Sequence, residues 1–334
     1  MARMNLERNH TVDIMKGIGI LAVIAGHTLP SESFGHQLIY SFHMPLFFIV
    51  AGFFYKPNTQ YCNKFTNDFR RLLVPYLVIA TGFSLFLLAK EKGNIFALRY
   101  SCIATIFGSA GCHYSLLWGK APHIGVAWFL PALFWCRQIF NLVYVRTRFA
   151  VYIVIGLSIA ATAIDRFLIN LPFALLPGLS AMTFYFIGYY FHLARIDKLS
   201  LTFISITGAL CWIIHLRYSQ LDMCNCTYGL YPLDVAAASF ATGMVYYGSR
   251  LILNTYIGKI LSKIGKISLY IYCVHALENI IKPYEWTSLE FVWFLEFPIR
   301  VTWCIVFAYI YLEIKTLISK SSILRYFGNS KRTK

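Results

Sequence analysis

The first apolar stretch of the chain contains three ionisable side chains, Asp13, Lys16 and His27, where charged groups are costly. Lys16 and His27 are eleven residues apart, so on a helix they share one face, about 16 Å apart along the axis. Asp13 precedes Lys16 by three residues, a spacing that allows pairing. A buried imidazole stays neutral and can accept a proton from a hydroxyl group. We therefore predict His27 as a general base and Asp13 as the group that orients Lys16. The alternative is a histidine that only packs against a neighbouring carbonyl.

Two further histidines lie in apolar stretches. His43 stands beside Pro45, and a proline in a span frees a backbone carbonyl that must face protein or a cavity. His275 precedes Glu278 by three residues on one face of another predicted helix. Together they predict a polar pocket for an acceptor molecule that carries the reacting hydroxyl group. In this pocket His43 holds the acceptor or a developing oxyanion, and His275 and Glu278 contact the acceptor.

A pair of cations, Arg70 and Arg71, precedes the third apolar stretch. Such a pair either sets the orientation of the following helix or binds phosphate, since arginine pairs bidentately with phosphate oxygens. We predict that Lys16, Arg70 and Arg71 bind the phosphates of a donor molecule. Trp128, followed by Phe129, is typical of packing or of a membrane interface, and it is also a candidate for substrate binding.

Several classes of chemistry lack their motifs in this sequence. There is no G-x-S-x-G elbow, no P-loop and no G-x-G-x-x-G, so serine-nucleophile, nucleotide-hydrolysing and dinucleotide-dependent enzymes have no support. The nine cysteines form no zinc-type pair of C-x-x-C motifs, and no metal is predicted. A single-step transfer to a hydroxyl group, with histidine as base, remains.

The composition determines which elements must position these residues. The 334 residues are 58% hydrophobic and only 13% charged, with a mean hydropathy of +0.60, whereas soluble domains carry about 25% charged residues. We predict an all-α polytopic membrane protein, and the apolar content argues against a nucleic-acid partner despite the net charge of +16. Ten spans are predicted at about residues 12–30, 38–55, 72–89, 124–143, 149–164, 174–193, 199–216, 232–249, 264–281 and 292–318. Segment 95–118 is broken by Arg99 and Gly108, and we interpret it as a re-entrant or surface helix.

The distribution of cations gives the orientation. With ten spans, 22 of the 30 lysines and arginines lie on the side of the N-terminus, and the positive-inside rule makes that side cytoplasmic. Both termini are then cytoplasmic, and anionic membrane lipids are expected partners. The whole chain, 1–334, is predicted as one membrane domain with a short basic tail from about residue 319. The sequence predicts no oligomeric state.

Several segments resemble the membrane-bound acyltransferase family 3, and within it the fucose 4-O-acetylase-type proteins. The similar segments are Asp13–Ile20 with Gly26–His27, Ser41–Phe48, Ala51–Phe53, Arg71–Tyr76, Trp128–Leu130, and Ser268–Tyr272 with His275. The resemblance covers most of the chain in order, and its first 80 residues are the most specific part.

This resemblance implies a ten-helix protein of the bacterial inner (plasma) membrane. Such proteins move an acyl group, usually acetyl, from cytoplasmic acyl-CoA to a hydroxyl of a cell-surface glycan or lipid-linked sugar. The family's basic-x10-His motif falls on Lys16 and His27, with lysine where many members have arginine. Many members also carry an Arg-x-x-Arg pair before the third span. Here Arg71 fits the second position and Asp68 occupies the first, so Arg70 is expected to substitute.

Two other functions are compatible with the same polar groups. In a transporter or flippase for a lipid-linked sugar, these polar groups would line the transport path. In a non-enzymatic assembly partner, the histidines would only pack against neighbouring helices. Transporters often contain inverted repeats, and the two halves of this sequence show none. Consumption of acetyl-CoA separates an acyltransferase from both alternatives.

Overall fold

The computed structural model describes residues 9–109, 114–115, 119–120, 122–165, 171–193, 198–281 and 293–320. These form helices joined by short connections, with two antiparallel strand pairs, β1 (Tyr114–Ser115) with β2 (Gly119–Lys120) and β3 (Leu221–Asp222) with β4 (Thr227–Tyr228). The α-helices are α1 (His10–Gly26), α2 (Phe34–Tyr40), α3 (His43–Phe53), α4 (Tyr61–Asp68), α5 (Val74–Lys90), α6 (Ile95–Phe107), α7 (Phe129–Arg146), α8 (Ala150–Asp165), α9 (Leu175–Ser180), α10 (Met182–Leu193), α11 (Lys198–Tyr218), α12 (Tyr231–Leu251), α13 (Tyr256–Lys266), α14 (Ser268–Ile281) and α15 (Trp293–Lys320). The prediction of an all-α fold is confirmed.

Among the described residues, four helical stretches are long and apolar enough to cross a membrane: Phe34–Phe53, Tyr61–Lys90, Gly125–Arg146 and Phe294–Leu317. Two bent helix pairs, α9 with α10 and α13 with α14, raise the number to six if each pair is one span. Helices lie at all ten segments predicted as spans, but ten crossings and cytoplasmic termini stay predictions. Helix α6 has 13 residues, which is shorter than the roughly 20 that a crossing needs.

Helix α1 is the element around which the candidate site is built, and it packs against α3, α12, α13, α14 and α15. Its contact with α13 is unusually close because glycines meet there. A Cβ atom on Gly265 of α13 would lie 2.8 Å from the backbone nitrogen of Gly17 in α1. Glycine on both helices lets the two backbones touch, which fixes the end of α13 beside Asp13 and Lys16.

Three interruptions of the helices shape the site. The helical conformation is interrupted between α2 and α3 at Ser41–Phe42. Pro45 occupies the first turn of α3, where its missing N–H costs no intrahelical hydrogen bond. A π-helical turn, Phe69–Leu73, joins α4 to α5, and such turns are frequent at functional sites. Finally, α13 and α14 meet at a bend of 68°.

Candidate functional site

A cavity of about 420 Å³ runs along one face of α1. Lys16, Ile20 and Val23 line it, and these residues follow each other at helical spacing on that face. His27 comes one turn after Val23, about 6 Å further along the axis. Ile20 and Val23 are buried, so the cavity becomes deeper in the direction of His27.

The opposite end of the cavity is cationic. Among the described residues, four cations line it: Lys16 of α1, Arg71 of the π-helical turn, Arg137 of α7 and Lys266 at the end of α13. The buried Asp13 is the carboxylate on the same wall. Arg71 and Lys266 are exposed, so this end reaches the protein surface. Four positive charges against one negative charge make the mouth attractive to a polyanion.

Arg137 is held in place by Asp68, the last residue of α4. Its Nε and Nη2 atoms lie 3.0 Å and 2.8 Å from the same carboxylate oxygen of Asp68. The other oxygen accepts from Lys64 at 2.9 Å and from Gln138 at 2.7 Å. Position 68 thus carries a carboxylate where many family members have arginine, but this carboxylate holds Arg137 at the cavity wall. The cavity mouth therefore still contains an arginine near this position. Arg70, predicted to substitute at this place, is exposed and does not line the cavity among the described residues.

The three predicted histidines lie in one cluster of rings beyond the deep end of the cavity. The ring centroid of His27 lies 5.5 Å from that of His275 and 6.3 Å from that of Tyr40. Tyr40 in turn lies 4.7 Å from His43 and stacks on His36 at 3.9 Å. The Nδ1 atom of His43 bonds the backbone oxygen of Ile39 at 2.9 Å; since a carbonyl only accepts, Nδ1 carries the proton and Nε2 is the acceptor.

His275 is oriented by a carboxylate. Its Nδ1 atom lies 3.0 Å from Oε2 of Glu278, and its ring is fully buried. Among the described residues, its Nε2 atom has no hydrogen-bond partner. A buried nitrogen without a partner is costly, so this atom is available to a hydroxyl group of a bound molecule.

Arg300 of α15 joins this pair to the end of α1. Its guanidinium pairs with Glu278 at 2.9 Å and with Glu296 at 3.1 Å, and it donates to the backbone oxygen of His27 at 2.7 Å. A cation at a helix C-terminus bonds carbonyl groups that have no partner within the helix and favours the helix dipole. Arg300 thereby fixes His27 and the His275–Glu278 pair relative to each other.

One set of three possible metal ligands occurs among the described residues. Ligand atoms of His275, Glu278 and Cys304 lie within 4.8 Å of one another, and all three residues are buried. Both carboxylate oxygens of Glu278 already lie within 3.1 Å of the Arg300 guanidinium. This arginine supplies the positive charge that a cation would bring, so the site fits an ion pair better than a metal.

Trp128, a candidate for substrate binding, lies in the hydrophobic core. It is 5% exposed and packs edge-to-face on Phe129, with ring centroids 6.3 Å apart. The Phe129 ring contacts Tyr272, and both line the cavity. Trp128 therefore supports the cavity wall.

Sequence reasoning did not identify Arg137, Lys266, Arg300, Tyr40 or His36 as site residues. They come from elements far apart in the chain, and no local spacing links them to His27. Intramembrane charge was the available signal for Arg300 and Arg137, because a charged residue in a predicted span requires a partner.

The arrangement places two chemical capacities along α1. The cationic cavity mouth suits phosphate groups, and imidazoles that can take a proton from a hydroxyl group lie beyond the buried end of the cavity. The comparisons with known proteins point in the same direction. No curated protein and no solved structure matches the chain. A family model described as an acyltransferase domain, acyltransferase 3, matches residues 9–313. On the strength of this match over nearly its full length, the chain belongs to the acyltransferase 3 family.

Proposed function

We propose that this membrane acyltransferase moves an acetyl group from acetyl-CoA to a hydroxyl group of a glycan or lipid-linked sugar. The observation that carries the proposal is the cavity along α1, which is cationic at its mouth and buried towards His27. A donor with phosphates at one end and a thioester at the other matches this distribution of charge. The site lies within a fold whose helices are able to span a membrane.

The mouth is proposed to bind the phosphates of the donor. Four cations line it: Lys16, Arg71, Arg137 and Lys266. Arg137 replaces the first arginine of the family's Arg-x-x-Arg pair. Arg70, one residue earlier on the exposed turn, contributes to the positive field outside the cavity. The pantetheine arm then follows the α1 face past Ile20 towards His27, over about 16 Å from Lys16.

His27 is proposed as the general base. It removes the proton of the acceptor hydroxyl while the oxygen attacks the thioester carbonyl. The tetrahedral intermediate then collapses, the C–S bond breaks, and the CoA thiolate takes the proton from the His27 imidazolium. The products are an O-acetyl ester and free CoA. Asp13, beside Lys16 on the cavity wall, orients that lysine and is not in contact with the reacting atoms.

The ring cluster is proposed to bind the acceptor. The buried Nε2 atom of His275, whose Nδ1 is fixed by Glu278, accepts a hydrogen bond from a second sugar hydroxyl. His43 contacts the acceptor or the developing oxyanion, and Trp128 supports the wall from the core. A glycan as in fucose 4-O-acetylases, at the outer face of a bacterial inner membrane, is the acceptor that the resemblance favours.

The test is release of free CoA by the purified protein in liposomes, supplied with acetyl-CoA and a panel of glycan acceptors. Wild-type protein should release CoA only with a productive acceptor, and His27→Ala should not. The matched control is His192→Ala, since His192 packs on Phe53 away from the cluster. A transporter of a lipid-linked sugar would release no CoA with any acceptor, and that result would refute the proposal.

A further inference from the structure

Helix α13 has three distinct faces along its eleven residues. Its packed face consists of small buried residues, Gly258, Ser262 and Gly265. Its basic face consists of exposed lysines, Lys259, Lys263 and Lys266. Its apolar face contains Ile257 and Ile260, which are 63% and 40% exposed. Exposed isoleucines beside exposed lysines are typical of a helix at a membrane surface.

The arrangement of these faces gives the helix a definite orientation. At about 100° per residue, the three lysines lie about 80–140° to one side of Gly258, and Ile257 and Ile260 lie about 100–160° to the other side. The packed face meets α1 through Gly265 and Gly17. With α1 at its side, α13 therefore presents its lysines about perpendicular to that contact and its isoleucines about 120° further round the helix, on the side away from α1.

The bend after α13 agrees with this orientation. Helices α13 and α14 differ in direction by 68°, so the two cannot both run along the membrane normal, and α13 lies close to the membrane plane if the 14-residue α14 runs inward from the surface. Its isoleucines then point towards the acyl chains and its lysines towards the headgroups. Arg250 and Leu251, which is 84% exposed, precede the helix with the same pairing of a cation and an apolar side chain.

We propose that α13 is an in-plane helix that binds anionic phospholipid, with Lys259 and Lys263 on the phosphates and Ile257 and Ile260 among the acyl chains. Charge complementarity selects the occupant, because the exposed Lys259 and Lys263 attract a negative surface and the adjacent apolar face requires hydrocarbon. The same helix ends at Lys266 on the cavity wall. The lipid site is separate from the proposed acyl transfer and does not depend on it.

The test is a titration of the purified full chain in neutral detergent with phosphatidylglycerol or phosphatidylcholine. Native mass spectrometry counts the bound lipids, and thermal unfolding reports the stabilisation. Phosphatidylglycerol should bind wild-type protein and raise its midpoint, and phosphatidylcholine should not. Lys259→Gln with Lys263→Gln should weaken binding at least about tenfold, since each lysine near an anionic surface contributes severalfold.

Three comparisons make the test decisive. The Arg pair Lys259→Arg with Lys263→Arg should keep the binding, because it keeps the charge. Arg146→Gln with Arg148→Gln removes two exposed charges elsewhere on the predicted cytoplasmic side and should also keep it. Equal loss in this control would reduce the effect to net charge and overturn the proposal. Stabilisation by glycerol phosphate alone would also overturn it, since that result indicates a site for free phosphate.

Discussion

The contact between α1 and α13 is the most sensitive point of the candidate site. Gly265 of α13 lies against the backbone of α1, where a Cβ would stand 2.8 Å from the nitrogen of Gly17 and closer still to the backbone oxygen of Asp13. These obstacles are backbone atoms, which cannot rotate away as a side chain does. Gly265→Ala should therefore push the end of α13 away from α1.

The size of this displacement follows from the distances. Ordinary van der Waals contact at a Cβ begins at 3.4 Å, so the helices must separate by at least about 1 Å. Lys266, the next residue, moves away from Lys16 across the cavity mouth. A misplacement of about 1 Å costs up to about 100-fold in rate, and overpacking costs about 1–3 kcal/mol of stability. We expect kcat/KM for acetyl-CoA to fall about 10- to 100-fold.

The assay is CoA release at varied acetyl-CoA concentration, together with thermal unfolding of the same preparation. The control is Gly248→Ala in α12, where, apart from the chain neighbours and the helix's own backbone, no atom of the described residues lies within 4 Å of the added Cβ. That substitution should leave activity unchanged and should gain up to about 1 kcal/mol of helix propensity. If Gly265→Ala behaves like Gly248→Ala, the close contact of α1 and α13 is not what forms the cavity mouth, and the reasoning is refuted.

Three further predictions concern the mouth, the buried charges and a second helix contact. Arg137→Gln should raise KM for acetyl-CoA about tenfold or more, since a charged hydrogen bond contributes about 1.5–3 kcal/mol, while Arg148→Gln should not; equal KM values would remove Arg137 from the donor site. Arg300→Gln should destabilise the protein by about 3–5 kcal/mol, because it leaves the buried carboxylate of Glu278 without its cationic partner. Adding Glu278→Gln should recover part of this loss in thermal unfolding, and strict additivity would contradict the pairing. Gly188→Ala, whose Cβ would stand 2.9 Å from the Cα atom of Ile49 and closer still to its backbone oxygen, should lower stability while KM for acetyl-CoA stays the same; a changed KM would connect that contact to the donor site.

Much of the helical architecture could be predicted because lipid-facing helices must be apolar over most of their length. Helices lie at each of the ten predicted segments, and the broken character of segment 95–118 corresponds to the short helix α6. The bends were harder to predict. The change of direction between α13 and α14 lies beside Gly265, which packs on α1, a contact between distant parts of the chain.

The site could be predicted only where its residues share one helix. Lys16 lines the cavity along α1 and His27 caps the C-terminal end of the same helix, and His275 bonds Glu278 across three residues of α14, as helical spacing allows. Arg137 and Arg300 reach the site from other helices, and their positions depend on tertiary packing. Asp68 shows what the sequence alone could not predict. It stands where an arginine was expected, which indicated that a cation was missing, but in the structure it pairs with Arg137, which provides that cation.

The central claim is that His27 takes part in the chemical step and not in donor binding. It is tested most directly by measuring acetyl-CoA binding and acetyl transfer on one preparation of His27→Ala. We predict that kcat falls by about 100- to 10,000-fold, the usual contribution of a general base, while the Kd for acetyl-CoA stays within about threefold. Undiminished acetyl transfer by folded His27→Ala protein would contradict the account.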